Sequence, residues 1–250
     1  MANDLKYALV TGASSGIGAA TARALAVAGY QVVGVARRAD RLAQLAGESI
    51  EVRVVDVTDQ DSVNELAAYF ADKNLEVIVA NAGGAFDATT IVEADLASWQ
   101  KSYEVNVLGT VRTIKALVPL MTQGGHVVIM GSTAGRAVYE GGGSYTAAKH
   151  AVAALAGTLR LELNGLPIRV TEIAPGMVQT DEFAVVRFHG DKEKAAKVYE
   201  GVAEPLVAED VADAVVWCVT RPAHVNVDLL VVRPVAQAAQ HKIHRVSHPK

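Results

Sequence analysis

The run Thr11-Gly12-Ala13-Ser14-Ser15-Gly16-Ile17-Gly18 decides the fold. An apolar run at residues 7–10 precedes it, and an alanine-rich stretch of helical pattern, residues 17–28, follows and closes on Gly29. A short continuous apolar run reads as a strand covered on both faces, and a glycine just past a periodic stretch as a helix stop. Strand, glycine-rich turn and helix in that order make a phosphate cradle. Gly12 permits the tight turn, Gly16 lets the backbone approach a pyrophosphate, and Gly18 lets the helix lie close to the sheet. The helix start then offers free N–H groups and the positive end of its dipole.

The same alternation continues outward. Residues 31–36, 52–55, 76–80, 126–130, 168–173 and 229–232 read as further strands. Helical patterns at 40–46, 60–73, 96–121, 144–164, 191–201 and 208–219 stand between them, the third broken near Asn106. This order predicts an α/β fold: a single doubly wound Rossmann-type domain, with a mostly parallel seven-stranded sheet and helices on both faces. A chain of 250 residues needs no second domain. The domain is expected over residues 1–240, with a flap at about 177–204. Residues 241–250 read as a basic tail, either solvated or in contact with another subunit.

Composition excludes several classes. Charged residues are 20% of the chain and the net charge is -4, which gives no global attraction for nucleic acid or an anionic membrane. No apolar run approaches the ~20 residues that span a bilayer. The single cysteine, Cys218, sits among Val215, Val216, Trp217 and Val219 and reads as a buried hydrophobe. One thiol and no signal peptide point to a cytoplasmic protein. No His/Cys cluster has ligand spacing, so no catalytic metal is expected.

Further landmarks follow the strands. Asn81-Ala82-Gly83 comes after the fourth and Ser132 after the fifth; Tyr145 and Lys149 lie four apart in a helical stretch, and Pro175-Gly176-Met177-Val178-Gln179-Thr180 follows the sixth strand. With the spacing T-G-x-x-x-G-x-G at the start, this set resembles the short-chain dehydrogenase/reductase family over nearly the whole chain. The resemblance implies an oxidoreductase with Asn106, Ser132, Tyr145 and Lys149 as catalytic residues. It assigns coenzyme binding to Gly12, Ser14, Ser15, Gly16, Ile17 and Gly18, to Asp56 and Val57 at the adenine, and to Asn81, Ala82 and Gly83 at the ribose. Tyr145, Lys149, Pro175, Gly176, Val178 and Thr180 complete the set, and homodimers or homotetramers are implied.

The second strand ends in Ala36, and Arg37 and Arg38 follow where an acid would accept from a ribose 2′-OH and repel a 2′-phosphate. Two guanidinium groups suit a phosphate, so NADP is the expected coenzyme. Arg37 is expected on the 2′-phosphate, with Arg38 stacked on or flanking the adenine.

A spacing of four places Tyr145 and Lys149 on one helix face. A free phenol, with its pKa of ~10, is a poor base at neutral pH, and a neighbouring ammonium should lower that value. Ser132 can then hold the substrate oxygen near the phenol, and Asn106 can anchor a water beside Lys149.

The runs at 131–135, 180–191, 220–226 and 233–237 resemble the NADP-dependent 3-hydroxy acid dehydrogenase branch, which acts on small molecules such as serine, allo-threonine and 3-hydroxypropionate. A carboxylate-bearing substrate needs a cation, and Arg187 and Arg136 are the candidates. Glu182 and His189 are read as holding the flap shut or meeting a neighbouring subunit. Two alternatives stay open: a reductase of ketones, dicarbonyls or a specialised aldehyde, and a non-catalytic NADP sensor.

Overall fold

The computed structural model describes residues 5–180 and 182–246. Strands β1 (Tyr7–Thr11), β2 (Gln31–Ala36), β3 (Ile50–Val54), β4 (Leu75–Ala80), β5 (Gly125–Met130), β6 (Ile168–Pro175) and β7 (Leu229–Val232) form one sheet. Its order is β3-β2-β1-β4-β5-β6-β7 and every pairing is parallel. The winding reverses between β1 and β4, and at such a point the connections leave for opposite sides and open a crevice at the carboxyl ends of the strands.

The helices are α1 (Gly16–Val27), α2 (Ala39–Ala43), α3 (Gln60–Phe70), α4 (Leu96–Tyr103), α5 (Gly109–Leu117), α6 (Gly143–Glu162), α7 (Phe183–Arg187), α8 (Lys192–Lys197) and α9 (Ala208–Val219). Successive side chains of a strand point to opposite faces, and β1 shows why its run is apolar throughout. Ala8 and Val10 join Leu25, Val211 and Val215 under α1 and α9. Leu9 joins Leu66, Phe70, Ile114 and Val152 under α3, α5 and α6. Each fully buried Leu or Phe contributes about 1.5–3 kcal/mol, so both layers are held to the sheet by side chains of the same strands. Cys218 lies in the first layer, fully buried, and burial pushes its thiol up to about 11.

Three expectations change. The long pattern at 96–121 resolves into α4, a π-turn at Glu104–Leu108, α5 and a short 3-10 turn. Asp95 caps α4 by accepting from the N–H groups of Ala97 and Ser98, each at 3.1 Å. The break near Asn106 is the π-turn, whose wider winding is frequent at functional sites. The helical pattern at 191–201 yields only the shorter α8, and α7 precedes it.

The C-terminus differs most. Strands β8 (Gln237–Ala239) and β9 (Lys242–Ile243) form an antiparallel hairpin, so a boundary at residue 240 would cut it. Residues 241–246 are mostly exposed, yet they are tied to the rest of the chain. The Val246 N–H donates to the Gly201 carbonyl at 2.7 Å and Arg245 Nη2 to the Val198 carbonyl at 3.0 Å, which ties the hairpin to the flap. Tail residues 247–250 lie outside the described residues. Among the described residues no helix is long and apolar enough to cross a membrane.

Candidate active site

The crevice holds a cavity of about 640 Å³, lined from the glycine-rich turn to the flap and the C-terminal hairpin. A volume of this order accommodates a small-molecule ligand. Every coenzyme residue expected from the sequence, from Gly12 to Thr180, lines it, and so do Ser132, Tyr145, Lys149 and Arg187. Asn106 and Arg136 do not.

At the glycine end, Gly12 has φ +69°, a conformation costly for any residue with a Cβ. A Cβ at Gly18 would run into the Gly12 carbonyl, so the glycine there sets how closely α1 meets the turn. Thr11 ties β1 to β4 across the switch point. Its hydroxyl accepts from the N–H groups of Asn81 at 3.0 Å and Ala82 at 2.9 Å, and Asn81 Nδ2 donates to the Thr11 carbonyl at 2.9 Å. The Asn81-Ala82-Gly83 turn is thereby part of the sheet's own bonding.

The arginines are arranged differently from expectation. Arg37 is exposed and lines the cavity. Arg38, expected at the adenine, instead donates through Nη2 to Ser14 Oγ at 2.8 Å and Ser15 Oγ at 3.1 Å, and through Nη1 to Glu182 Oε1 at 2.7 Å. The reason is charge: Glu182 reaches over from the flap and draws the guanidinium to the turn. Arg41 also pairs with Glu182. The sequence reading missed Arg41, although it stands one helical turn beyond Arg38.

At the catalytic end, Tyr145 and Lys149 sit on the first turns of α6, both buried. Lys149 Nζ lies 5.7 Å from the centre of the Tyr145 ring and donates to the Met130 carbonyl at 2.8 Å. Ser132 Oγ accepts from the Ala134 N–H at 3.1 Å, which turns the chain after β5 and fixes the hydroxyl. Tyr145 packs edge-on against Phe183 of the flap, with ring centres 5.4 Å apart.

The charge balance here is not the one expected. Burial raises the Tyr145 pKa above its ordinary value; the Ser132 hydroxyl and, more weakly, Arg187 pull it down without prevailing. Burial pushes Lys149 down to about 8, while Glu172 pulls it up. Desolvation is therefore the largest influence on both groups.

The structure moves Arg136 off the cavity and gives the Asn106 side chain backbone partners. Its amide is consumed by backbone: Nδ2 donates to the carbonyls of Gly84 at 2.9 Å and Ser102 at 2.8 Å, and Oδ1 accepts from the Gly84 N–H at 3.1 Å. Asn106 therefore pins the turn at residues 83–84 to the π-turn. Arg136 points away from the cavity into an ion pair with the buried Glu172, a carboxylate that would otherwise be stranded.

At the flap end, Arg187 lies over the rings of Tyr139 at 5.2 Å and Phe188 at 5.6 Å and donates to the Gly141 carbonyl at 3.0 Å. Its Nε is buried without a hydrogen-bond partner among the described residues. Gln237 Oε1 accepts from the Met177 N–H at 2.8 Å and Gln240 Oε1 from Thr133 Oγ1 at 2.7 Å, so the hairpin clips both the turn after β6 and the segment after Ser132. Glu182, read as holding the flap shut or meeting a neighbouring subunit, is bonded across to the glycine-rich turn and Arg38. His189 occupies the turn after α7 at φ +52°. Tyr139, Tyr199, Gln240 and Arg245 line the cavity and were missed, since no local motif marks them; Gln237, in the 233–237 run, lines it too.

The short chain dehydrogenase family matches residues 6–189. The chain belongs to that family. It is 50% identical over 247 residues to an oxidoreductase of Mycobacterium tuberculosis, covering 98% of this chain and 96% of the relative. It is 37% identical over 245 residues to the NADP-dependent 3-hydroxy acid dehydrogenase YdfG of Escherichia coli, covering 95% and 98%. Among solved structures, the closed form of a serine dehydrogenase complexed with NADP+ superposes with a TM-score of 0.90 at 36% identity, covering 96% of this chain and 100% of the other.

Proposed function

We propose that this short-chain dehydrogenase moves a hydride between NADP(H) and a small 3-hydroxy acid such as serine, allo-threonine or 3-hydroxypropionate, and reduces the corresponding semialdehyde in reverse. The observation that carries the substrate class is Arg187. It is a guanidinium on the cavity wall whose Nε is buried without a hydrogen-bond partner among the described residues, close enough to Tyr145 to bear on its charge. A buried donor left unmatched costs free energy that a substrate carboxylate would recover. The names of the Escherichia coli relative and the serine dehydrogenase agree with this class.

The coenzyme would lie from the glycine-rich turn, with Arg37, Arg38 and Arg41 at the adenosine end, to Lys149 and the turn at Pro175 and Gly176. When bound, NADP(H) supplies or accepts the hydride. Ser132 holds the substrate oxygen against the phenol of Tyr145, which takes the hydroxyl proton during oxidation and returns it during reduction. Lys149 holds positive charge beside the phenol, and Phe183 and the closed flap exclude water. The reading extends to a homo-oligomer, supported by Leu229 and Val231 exposed on the outer strand β7, and to the cytoplasm, where a lone buried thiol is at home.

The test follows NADPH absorbance with serine, allo-threonine, 3-hydroxypropionate and a neutral secondary alcohol. Turnover of the acids with NADP+, and an Arg187→Ala variant that loses the acids but spares the alcohol, are the expected results. Equal loss on acids and alcohol would remove the carboxylate role and leave a reductase of neutral carbonyls.

A further inference from the structure

Glu182 immediately precedes α7 on the flap, yet its carboxylate lies beside the glycine-rich turn, against the second of the two arginines that follow β2 rather than against Arg37, where the sequence places a 2′-phosphate. There it accepts from Ser15 Oγ at 2.8 Å, from Arg38 Nη1 at 2.7 Å and from Arg38 Nη2 at 2.8 Å, and it pairs with Arg41. Arg38 Nη2 also donates to Ser14 Oγ at 2.8 Å, which fixes the plane of the guanidinium. Two guanidinium groups and a serine hydroxyl around one carboxylate make a complete anion site with an anion already in it.

We infer that Glu182 is the chain's own stand-in for the coenzyme 2′-phosphate, and that NADP(H) binds by displacing this carboxylate from Arg38, Arg41 and Ser15. The inference rests on the NADP(H) reading above. The same donors cannot serve both anions. A 2′-phosphate brings more charge and three acceptor oxygens, so it wins the exchange when the coenzyme arrives. The exchange frees the carboxylate from the glycine-rich turn, while Arg187 and Tyr199 keep the flap on the carbonyls of Gly141 and Val178. A coenzyme that carries only a 2′-hydroxyl has nothing to exchange and leaves the latch in place. Glu182 therefore sets coenzyme affinity from the flap side, as the arginines set it from the sheet side.

A site occupied by its own anion binds with an apparent dissociation constant raised by the inverse of the fraction open. Calorimetry on coenzyme-free protein with NADPH, NADH and adenosine 2′,5′-bisphosphate tests this. Glu182→Gln, with Glu182→Ala as a second variant, is expected to tighten NADPH and the bisphosphate by roughly tenfold and to leave NADH within about twofold. Weaker NADPH binding in both variants would overturn the inference, because Glu182 would then be positioning the arginines for the phosphate. Equal tightening of NADPH and NADH would also overturn it, since Glu182 would then only stiffen the flap. Wild-type protein that binds NADPH no better than NADH would instead sink the coenzyme reading beneath it.

Discussion

The two ends of the cavity are built in different ways. The glycine end is made by the sheet itself: Thr11 and Asn81 cross-link the carboxyl ends of β1 and β4, and Gly12 and Gly18 set the spacing of α1. Those bonds join residues that the two core layers already hold in place. The flap end is made of α7, α8 and the C-terminal hairpin. Apart from Ala184, Ala195 and Val202, these bury few apolar side chains, and they are held largely by side-chain bonds to backbone carbonyls. A segment with few buried contacts opens at small cost, whereas one shared with the core opens only with the fold. Under the function proposed above, the coenzyme is held by the rigid end and substrate choice falls to the loose one.

That division can be broken most directly at Tyr145. Its ring packs against Phe183 while its hydroxyl faces the Ser132 hydroxyl, so Tyr145→Phe keeps the packing and removes only the proton carrier. Turnover should fall by about 10²- to 10⁴-fold, with NADPH binding unchanged by fluorescence titration. A comparable loss of NADPH binding would mean the two ends are not separable at this residue. Next in size is Arg187→Ala, expected to raise KM for a 3-hydroxy acid by about 10- to 100-fold, the worth of one hydrogen-bonded charge. Smaller again is Arg245→Ala, which takes two donors from the carbonyls of Val198 and Glu200. A rise of about three- to tenfold in KM for the acid is expected, with NADPH affinity unmoved. A fall in coenzyme affinity would extend the hairpin's reach to the rigid end.

The same division explains what the sequence could tell. The turn at Gly12 to Gly18 is legible because its chemistry is local: strand, turn and helix are adjacent in the chain, and each glycine has a steric reason. Tyr145 and Lys149 are legible for a similar reason, since one helix presents both. Asn106 was found, but its bonds to Gly84 and Ser102 were not, because those residues become its neighbours only once a π-turn forms. Arg136 looked like a ligand residue because no periodicity reveals that Glu172 on β6 lies buried beside it. The hairpin's pairing and its contacts were missed, although the 233–237 run reaches its first residue. Gln237 and Gln240 matter through Met177 and Thr133, contacts 60 or more residues distant in the chain that no local pattern announces.

The smallest effect tests whether the rigid end is also at ease. Lys149 is buried with its amine on the Met130 carbonyl, and burial brings its pKa down to about 8. In the unfolded chain the amine keeps its proton to about pH 10.4. Between about pH 8 and 10.5 the unfolded chain therefore binds more protons than the folded one, and folding becomes more favourable as pH rises through that window. The sign is the reverse of that for a salt-bridged lysine. In Lys149→Met this contribution is gone, while the unpartnered Met130 carbonyl costs the same at every pH. Thermal melts of the coenzyme-free proteins should show the wild type gaining on the variant as pH rises from about 7 to 10. A constant gap would mean that the Lys149 charge is accommodated without strain. The catalytic lysine would then sit as comfortably in the frame as the glycines do.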